Sequence, residues 1–193
     1  PALAYTVQAS DKLIVLAHPS SKGTARQLAL AYQQGAKAKG HQVKFIDLYR
    51  EPHQDFLNFE SAKNLNTDQI EANYQKQIKW AEEISFFAPM WWLSFPAILK
   101  NFLDVNFSSG FAFRYTSSGR PLGLLKGRTA RTFMTCDNSR FLYTILLIPH
   151  RLVWHLALGL CGIRHRHFNL FDRVRLRSQA EKDRWAEQVK QIK

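Results

Sequence analysis

Residues 84–107 constrain the fold more than any other stretch, because they read in succession as a fully buried strand, an aromatic loop and an amphipathic helix. Ile84-Ser85-Phe86-Phe87-Ala88 is a short apolar run of the kind covered on both faces in a parallel sheet. Pro89 ends it, since proline cannot donate to a sheet ladder. The loop that follows carries Trp91 and Trp92, and Pro96 falls at the first helical position, where a missing N–H costs nothing. From there to about Phe107 the spacing predicts a helix whose apolar face is Ile98, Phe102 and Val105, widened by Leu99 and Leu103, with Lys100 and Asp104 outward. Loops at the carboxyl ends of strands in an open parallel sheet are where ligands bind, and two indoles make a wall for a flat molecule. The alternative, that both are core aromatics, is opposed by geometry: adjacent loop residues cannot both face one core.

The rest of the chain repeats the alternation. Leu13-Ile14-Val15-Leu16-Ala17 reads as the first, central strand, and after His18-Pro19-Ser20-Ser21-Lys22-Gly23-Thr24 the residues Ala25, Leu28, Ala29, Tyr32 and Ala36 recur at helical spacing up to a Gly40 stop. A polar, glycine-containing loop thus opens directly onto a helix N-terminus, an anion site in which Ser20, Ser21 and Thr24 add hydroxyl donors. Simple capping by Thr24 is the competing reading. A second strand follows at residues 43–48, an aperiodic loop at 51–65, and a helix from Thr67 through Ile70, Tyr74, Ile78 and Ala81. Residues 128–135 and 166–171 read as the fourth and fifth strands, and residues 178–192 as a closing helix with Trp185, Val189 and Ile192 inward. Between the last two strands, Pro149 kinks or restarts a helix whose face continues through Leu152, Leu156 and Leu160 to a Gly162 stop. The expected architecture is α/β: one domain over residues 1–193, a doubly wound five-stranded parallel sheet of order 2-1-3-4-5 with helices on both faces.

Length and composition agree with one domain: 193 residues at 46% hydrophobic content can bury a real core. Cys136 and Cys161 show no metal spacing and are expected as free thiols, and residues 1–10 lack the pattern of a signal peptide, so a cytoplasmic location is expected. The apolar region 141–163 is interrupted by Pro149, His150, Arg151 and His155, which opposes a membrane-spanning helix and favours core plus a subunit interface. The net charge of +12 attracts anions. It is spread along the chain without a nucleic-acid signature, so no nucleic-acid function is expected.

Pro89, Trp92 and the run Pro96-Ala97-Ile98-Leu99-Lys100 resemble the flavodoxin-like NAD(P)H:quinone oxidoreductase family, with its Pro-x-x-Trp loop followed by Pro-Ala-x-Leu-Lys. Ala17-His18-Pro19 matches the family's first loop, with Thr24 and Gln27 standing in for its hydroxyl residue and asparagine, and Asp47-Leu48-Tyr49 is a family triplet. The resemblance implies a flavin, FMN with FAD as alternative, and NAD(P)H as co-substrate. The cofactor would be held by His18, Ser20, Gly23, Thr24 and Gln27 at its phosphate, by Pro89, Met90, Trp91, Trp92 and Leu93 at its ring, and by Thr135, Cys136, Asp137 and Asn138 at its pyrimidine end. Many members have Gly-Gly in that last loop; the carboxylate of Asp137 is unfavourable beside a reduced flavin and is expected to point away or to cap the next helix. Gly110-Phe111-Ala112 followed by an aromatic implies that Phe113 and Tyr115 join Trp92 around the substrate, contributed across a homodimer; an edge hairpin with ordinary aromatics is the alternative. Tyr143 and His150 align with the family's catalytic tyrosine and histidine; a helix-face tyrosine and a surface histidine beside Pro149 are the alternatives. The implied activity is two-electron reduction of quinones or similar acceptors by ping-pong hydride transfer. The alternative is an ancillary subunit of a potassium-efflux transporter, for which the charge would suit an acidic membrane partner.

Overall fold

The computed structural model describes residues 8–59, 72–146 and 148–192. Five parallel strands, β1 (Asp11–Leu16), β2 (Gln42–Asp47), β3 (Glu83–Pro89), β6 (Thr129–Thr135) and β7 (Arg164–Phe171), form one sheet in the order β2-β1-β3-β6-β7. In strand count this is the expected 2-1-3-4-5. The labels β4 (Phe113–Tyr115) and β5 (Pro121–Gly123) belong to a separate antiparallel hairpin in the connection to β6.

Alternation along the central strands divides the core into two layers. Ile14 and Leu16 of β1, with Phe87 and Phe133, pack beneath α1 (Thr24–Ala38) and α6 (Gln179–Lys190) through Leu28, Tyr32 and Val189. Leu13 and Val15, with Phe86, face α2 (Ala72–Trp80), α3 (Ala97–Asn106) and α5 (Ile148–Leu160) through Ile78, Phe102 and Trp154. Phe87 stacks on Phe133 at 4.3 Å in one layer, and Phe86 packs on Trp154 at 4.9 Å in the other. Both faces of β1 and β3 are covered, which is why their sequences are apolar without a break.

Several local expectations shift. β3 runs one residue further and includes Pro89, tolerated as its last residue. Pro96 is the N-cap of α3 rather than its first residue, and the buried stripe centres on Leu99, Phe102 and Val105, with Ile98 only half-buried. Thr67 and Ile70 lie outside the described residues. α4 (Arg140–Leu146) and α5 are separate helices.

The face of α5 is a correction: Leu152, Leu156 and Leu160 point to solvent, and the residues turned inward are His150, Trp154 and Leu158. When nearly every position of a helix is apolar, the sequence does not say which stripe the sheet selects. Among the described residues no helix is long and apolar enough to cross a membrane.

Candidate active site at the carboxyl edge of the sheet

Backbone hydrogen bonds between neighbouring strand ends set the predicted loops side by side. Ala17 N–H donates to Phe87 O (2.8 Å), Met90 N–H to Thr135 O (2.7 Å) and Cys136 N–H to Phe171 O (2.9 Å). The loops after β1, β3 and β6 therefore leave the sheet from adjacent positions.

The first loop ends on Gly23, the N-cap of α1, and no side chain caps that helix. Thr24 is its first residue, so the simple capping reading fails. The first-turn N–H groups lack intrahelical partners and no acidic residue occupies the turn, which leaves the positive helix end open to an anion. His18 lies across Gly23 so closely that a Cβ there would sit 2.0 Å from His18 Cε1. The imidazole Nδ1 accepts from Ser20 N–H (3.1 Å), which puts the ring proton on Nε2 and makes that nitrogen a donor. Burial, with Arg26 adding to it, holds the His18 pKa below its ordinary value. Ser20 Oγ accepts from Lys22 N–H (3.1 Å), while Gln27 Nε2 donates to Lys22 O (3.5 Å) and braces the loop from within.

The second loop is a tight turn. Trp91 and Ser94 exchange backbone hydrogen bonds of 2.8 and 2.9 Å, while Trp92 and Leu93 take φ of 51° and 57°. Two central residues at positive φ define a type I′ turn, a place for Asn-Gly rather than Trp-Leu. The turn leaves Trp92 100% exposed and Trp91 43% exposed, so neither indole is a core residue. A cavity of about 850 Å3 opens beside them, lined by Trp91, Trp92, Leu93 and Phe95, by Tyr49 after β2, and by His150 and Val153 of α5. His150 is only 6% exposed, lies 5.7 Å from the Phe95 ring and 5.8 Å from that of Phe168, and its Nε2 has no partner among the described residues. Burial lowers its pKa, keeping the ring neutral.

In the third loop the N–H groups of Asp137 and Ser139 carry no hydrogen bond among the described residues, and Cys136 Sγ lies against the Asn138 backbone. The Asp137 carboxylate turns outward to pair with Arg175 Nε (2.9 Å) and accept from Arg175 N–H (3.2 Å). It does not cap the next helix: Asp172, from beyond β7, accepts from Arg140 N–H (2.8 Å) at the start of α4. Burial, with Asp172 nearby, pushes the Cys136 thiol up to about 11, so it is a packing residue and not a thiolate.

The structure brings together Trp91, Trp92, Leu93 and His150 around one cavity. It does not place Phe113 or Tyr115 there. Tyr115 is 62% exposed on the hairpin, and Phe113 lines a second, apolar cavity of about 430 Å3 with Phe107, Trp154 and Cys161; Phe95 and Val153 are common to both cavities. Tyr143 is buried in the core layer one turn into α4 and lines neither. Tyr49, Phe95 and Val153 were not singled out from the sequence as site residues. The Asp47-Leu48-Tyr49 triplet at the end of β2 is a signal for Tyr49 alone.

This donor set fits a flavin mononucleotide. The uncapped α1 end, with the His18 Nε2–H and the side chains of Ser20, Lys22 and Thr24, suits a phosphate. Exposed indoles suit the flat ring, and the free N–H groups of Asp137 and Ser139 suit its carbonyl-bearing end.

The family profile described as flavodoxin-like fold matches residues 11–193. The chain is 34% identical over 173 residues to an uncharacterized NAD(P)H oxidoreductase of Haemophilus influenzae, a match covering 86% of this chain and 85% of that protein. It is 37% identical over 122 residues to an FMN-dependent NADH:quinone oxidoreductase of Clostridium perfringens, covering 54% of this chain and 61% of the relative. Among solved structures, Smu.1420 from Streptococcus mutans superposes with a TM-score of 0.81 at 24% identity, covering 94% of this chain and 97% of the other. A sheet order, a set of carboxyl-edge loops and a profile that agree over nearly the whole length leave one assignment: the chain belongs to the flavodoxin-like fold family.

Proposed function

We propose that the chain is a flavin-dependent NAD(P)H oxidoreductase that binds FMN in preference to FAD and reduces quinones or similar acceptors by two electrons. The observation that carries this reading is the juxtaposition of an uncapped α1 N-terminus with a strained turn that holds Trp92 wholly in solvent. The names of the relatives, an NAD(P)H oxidoreductase and an FMN-dependent NADH:quinone oxidoreductase, support it and favour catalysis over the ancillary-subunit reading.

Bound flavin supplies hydride chemistry; the protein supplies position. His18, Ser20, Gly23, Thr24 and the α1 backbone bind the phosphate, with Gln27 bracing their loop. Pro89 and Met90 fix the strand end from which Trp91, Trp92 and Leu93 orient the ring. Thr135 and Cys136 hold the third loop in register, and its free backbone N–H groups would hold the carbonyl-bearing end of the flavin and stabilise negative charge there. His150, which lines the cavity, is the group proposed to hold a proton there; Tyr143, buried in the core layer and lining neither cavity, is not placed to do so. The His150 ring lines the cavity and is kept neutral by burial, and its Nε2 is buried without a partner among the described residues.

The assembly proposed is a homodimer. α5 exposes Val153, Leu156 and Leu160 on one side, and the hairpin projects Tyr115; a second copy laid on that surface would bring its Phe113 and Tyr115 to the partner's Trp92. Trp92→Ala tests the site: FMN affinity and kcat/KM for the quinone are each expected to fall about tenfold, or about 1.4 kcal/mol. Unchanged values for both would remove Trp92 from the site.

A further inference from the structure

On the outer edge of the sheet, away from the loops described above, a cleft of about 390 Å3 is lined by Arg151, Leu152 and His155 of α5 and by His165, Arg166 and Phe168 of β7. β7 is an edge strand, and in a regular pleat His165 and Phe168 would face opposite sides of the sheet. The register breaks here: Ala130 pairs with His165 and Arg131 with His167, so Arg166 is an inserted residue. This bulge turns His165, Arg166 and Phe168 together toward α5, the kind of re-aiming that bulges perform at edges and beside sites.

The cleft carries positive charge without any negative partner. Arg151 and Arg166 make no ion pair or hydrogen bond among the described residues, and no acidic side chain lines the cavity. Arg164 and His167 flank it on β7. His165, which shares a hydrogen bond with Thr132 Oγ1 (3.1 Å), is pushed down to about 4, first by burial and then by His155 and Arg151. Cationic residues on an edge strand can serve only to repel other strands. That role needs charges along the strand; it does not need two arginines from different elements converging on one concavity.

We propose that the Arg151–His155–Arg166 cleft binds a phosphate monoester, with the two guanidinium groups as the fork-shaped donors. Such an ester is carried by NADPH as its 2′-phosphate and by phosphatidic acid as its headgroup, and both present the same monoester to the arginines.

Isothermal titration calorimetry of the purified full chain with adenosine 2′,5′-bisphosphate and with inorganic phosphate tests this. Saturable binding is expected, weakened about tenfold or more in Arg151→Gln/Arg166→Gln and unchanged in Lys182→Gln/Arg184→Gln, which removes the same charge from α6. No saturable binding by the wild-type chain, or equal weakening in both double variants, would overturn the proposal. Both altered arginines are exposed, and an unchanged melting temperature confirms that the double variant is folded. Gly23→Ala separates this test from the flavin reading: it drives a Cβ into His18 and is expected to abolish FMN loading while leaving the cleft's affinity intact. A KM for NADPH that rises in the arginine variant, with the KM for NADH unchanged, identifies the dinucleotide as the source. Loss of sedimentation with phosphatidic acid vesicles identifies the lipid.

Discussion

Trp92 and Leu93 hold left-handed backbone geometry that costs a side-chain-bearing residue about 1 to 2 kcal/mol each. Strain kept at a ligand-facing turn is a sign that position matters there more than stability. Leu93→Gly is therefore expected to raise the melting temperature by about 2 to 4 °C while weakening FMN binding, a pair of readouts from one thermal scan and one titration. The two tryptophans were legible as a loop wall; the turn was not, because its usual Asn-Gly signature is missing. His165 carries a second residue-scale prediction. Its folded pKa, about 4, lies below the ordinary 6.5, so the unfolded chain takes the proton first. Stability is unaffected by this group above about pH 6.5 and falls as pH drops from there toward about 4. Urea midpoints across that window should decline less steeply in His165→Gln than in the native chain.

At the scale of elements, α5 is where sequence reasoning failed and structure is most informative. Its buried stripe is His150, Trp154 and Leu158, with a spacing of four, whereas Leu152, Leu156 and Leu160 share the same spacing and stay outside. Two equally apolar stripes cannot be ranked by periodicity; the tertiary contacts of Trp154 with Phe86 and Phe95 decide it. Leu156 and Leu160 of the outer stripe, with Val153, are expected to form the dimer face, while Leu152 turns toward the cleft beside β7. Leu156→Glu should shift the chain to the monomer position in size-exclusion chromatography and lower quinone turnover, while FMN affinity holds. A monomer in the native chain would contradict that assignment. The strands, by contrast, were legible to within two residues because runs such as Leu13-Ile14-Val15-Leu16 admit little else. The Arg166 bulge was invisible, since an inserted residue leaves no mark in composition.

Across the whole molecule, the alternation of buried strands with amphipathic helices was enough to give sheet order, layers and the carboxyl edge. Interactions between residues far apart in sequence were not readable. Glu83, at the start of β3, is buried between Lys12 Nζ (2.9 Å) and Arg131 Nε (2.8 Å) and accepts from the Tyr32 hydroxyl. Burial alone would raise its pKa, but the two cations outweigh it and hold the carboxyl below the ordinary carboxylate range. Glu83→Gln, which leaves two buried cations short of their partner, is expected to cost about 3 kcal/mol, measurable as a lowered urea midpoint. The central claim is that the carboxyl edge of this sheet is a flavin site with redox work to do. It is tested most directly by the visible absorption spectrum of the purified chain titrated with FMN, then with NADH or NADPH, then with a quinone. Oxidised-flavin bands that shift on binding, bleach with the reduced dinucleotide and return with the quinone are expected. A chain that takes up no flavin, or whose bound flavin stays oxidised, would contradict it.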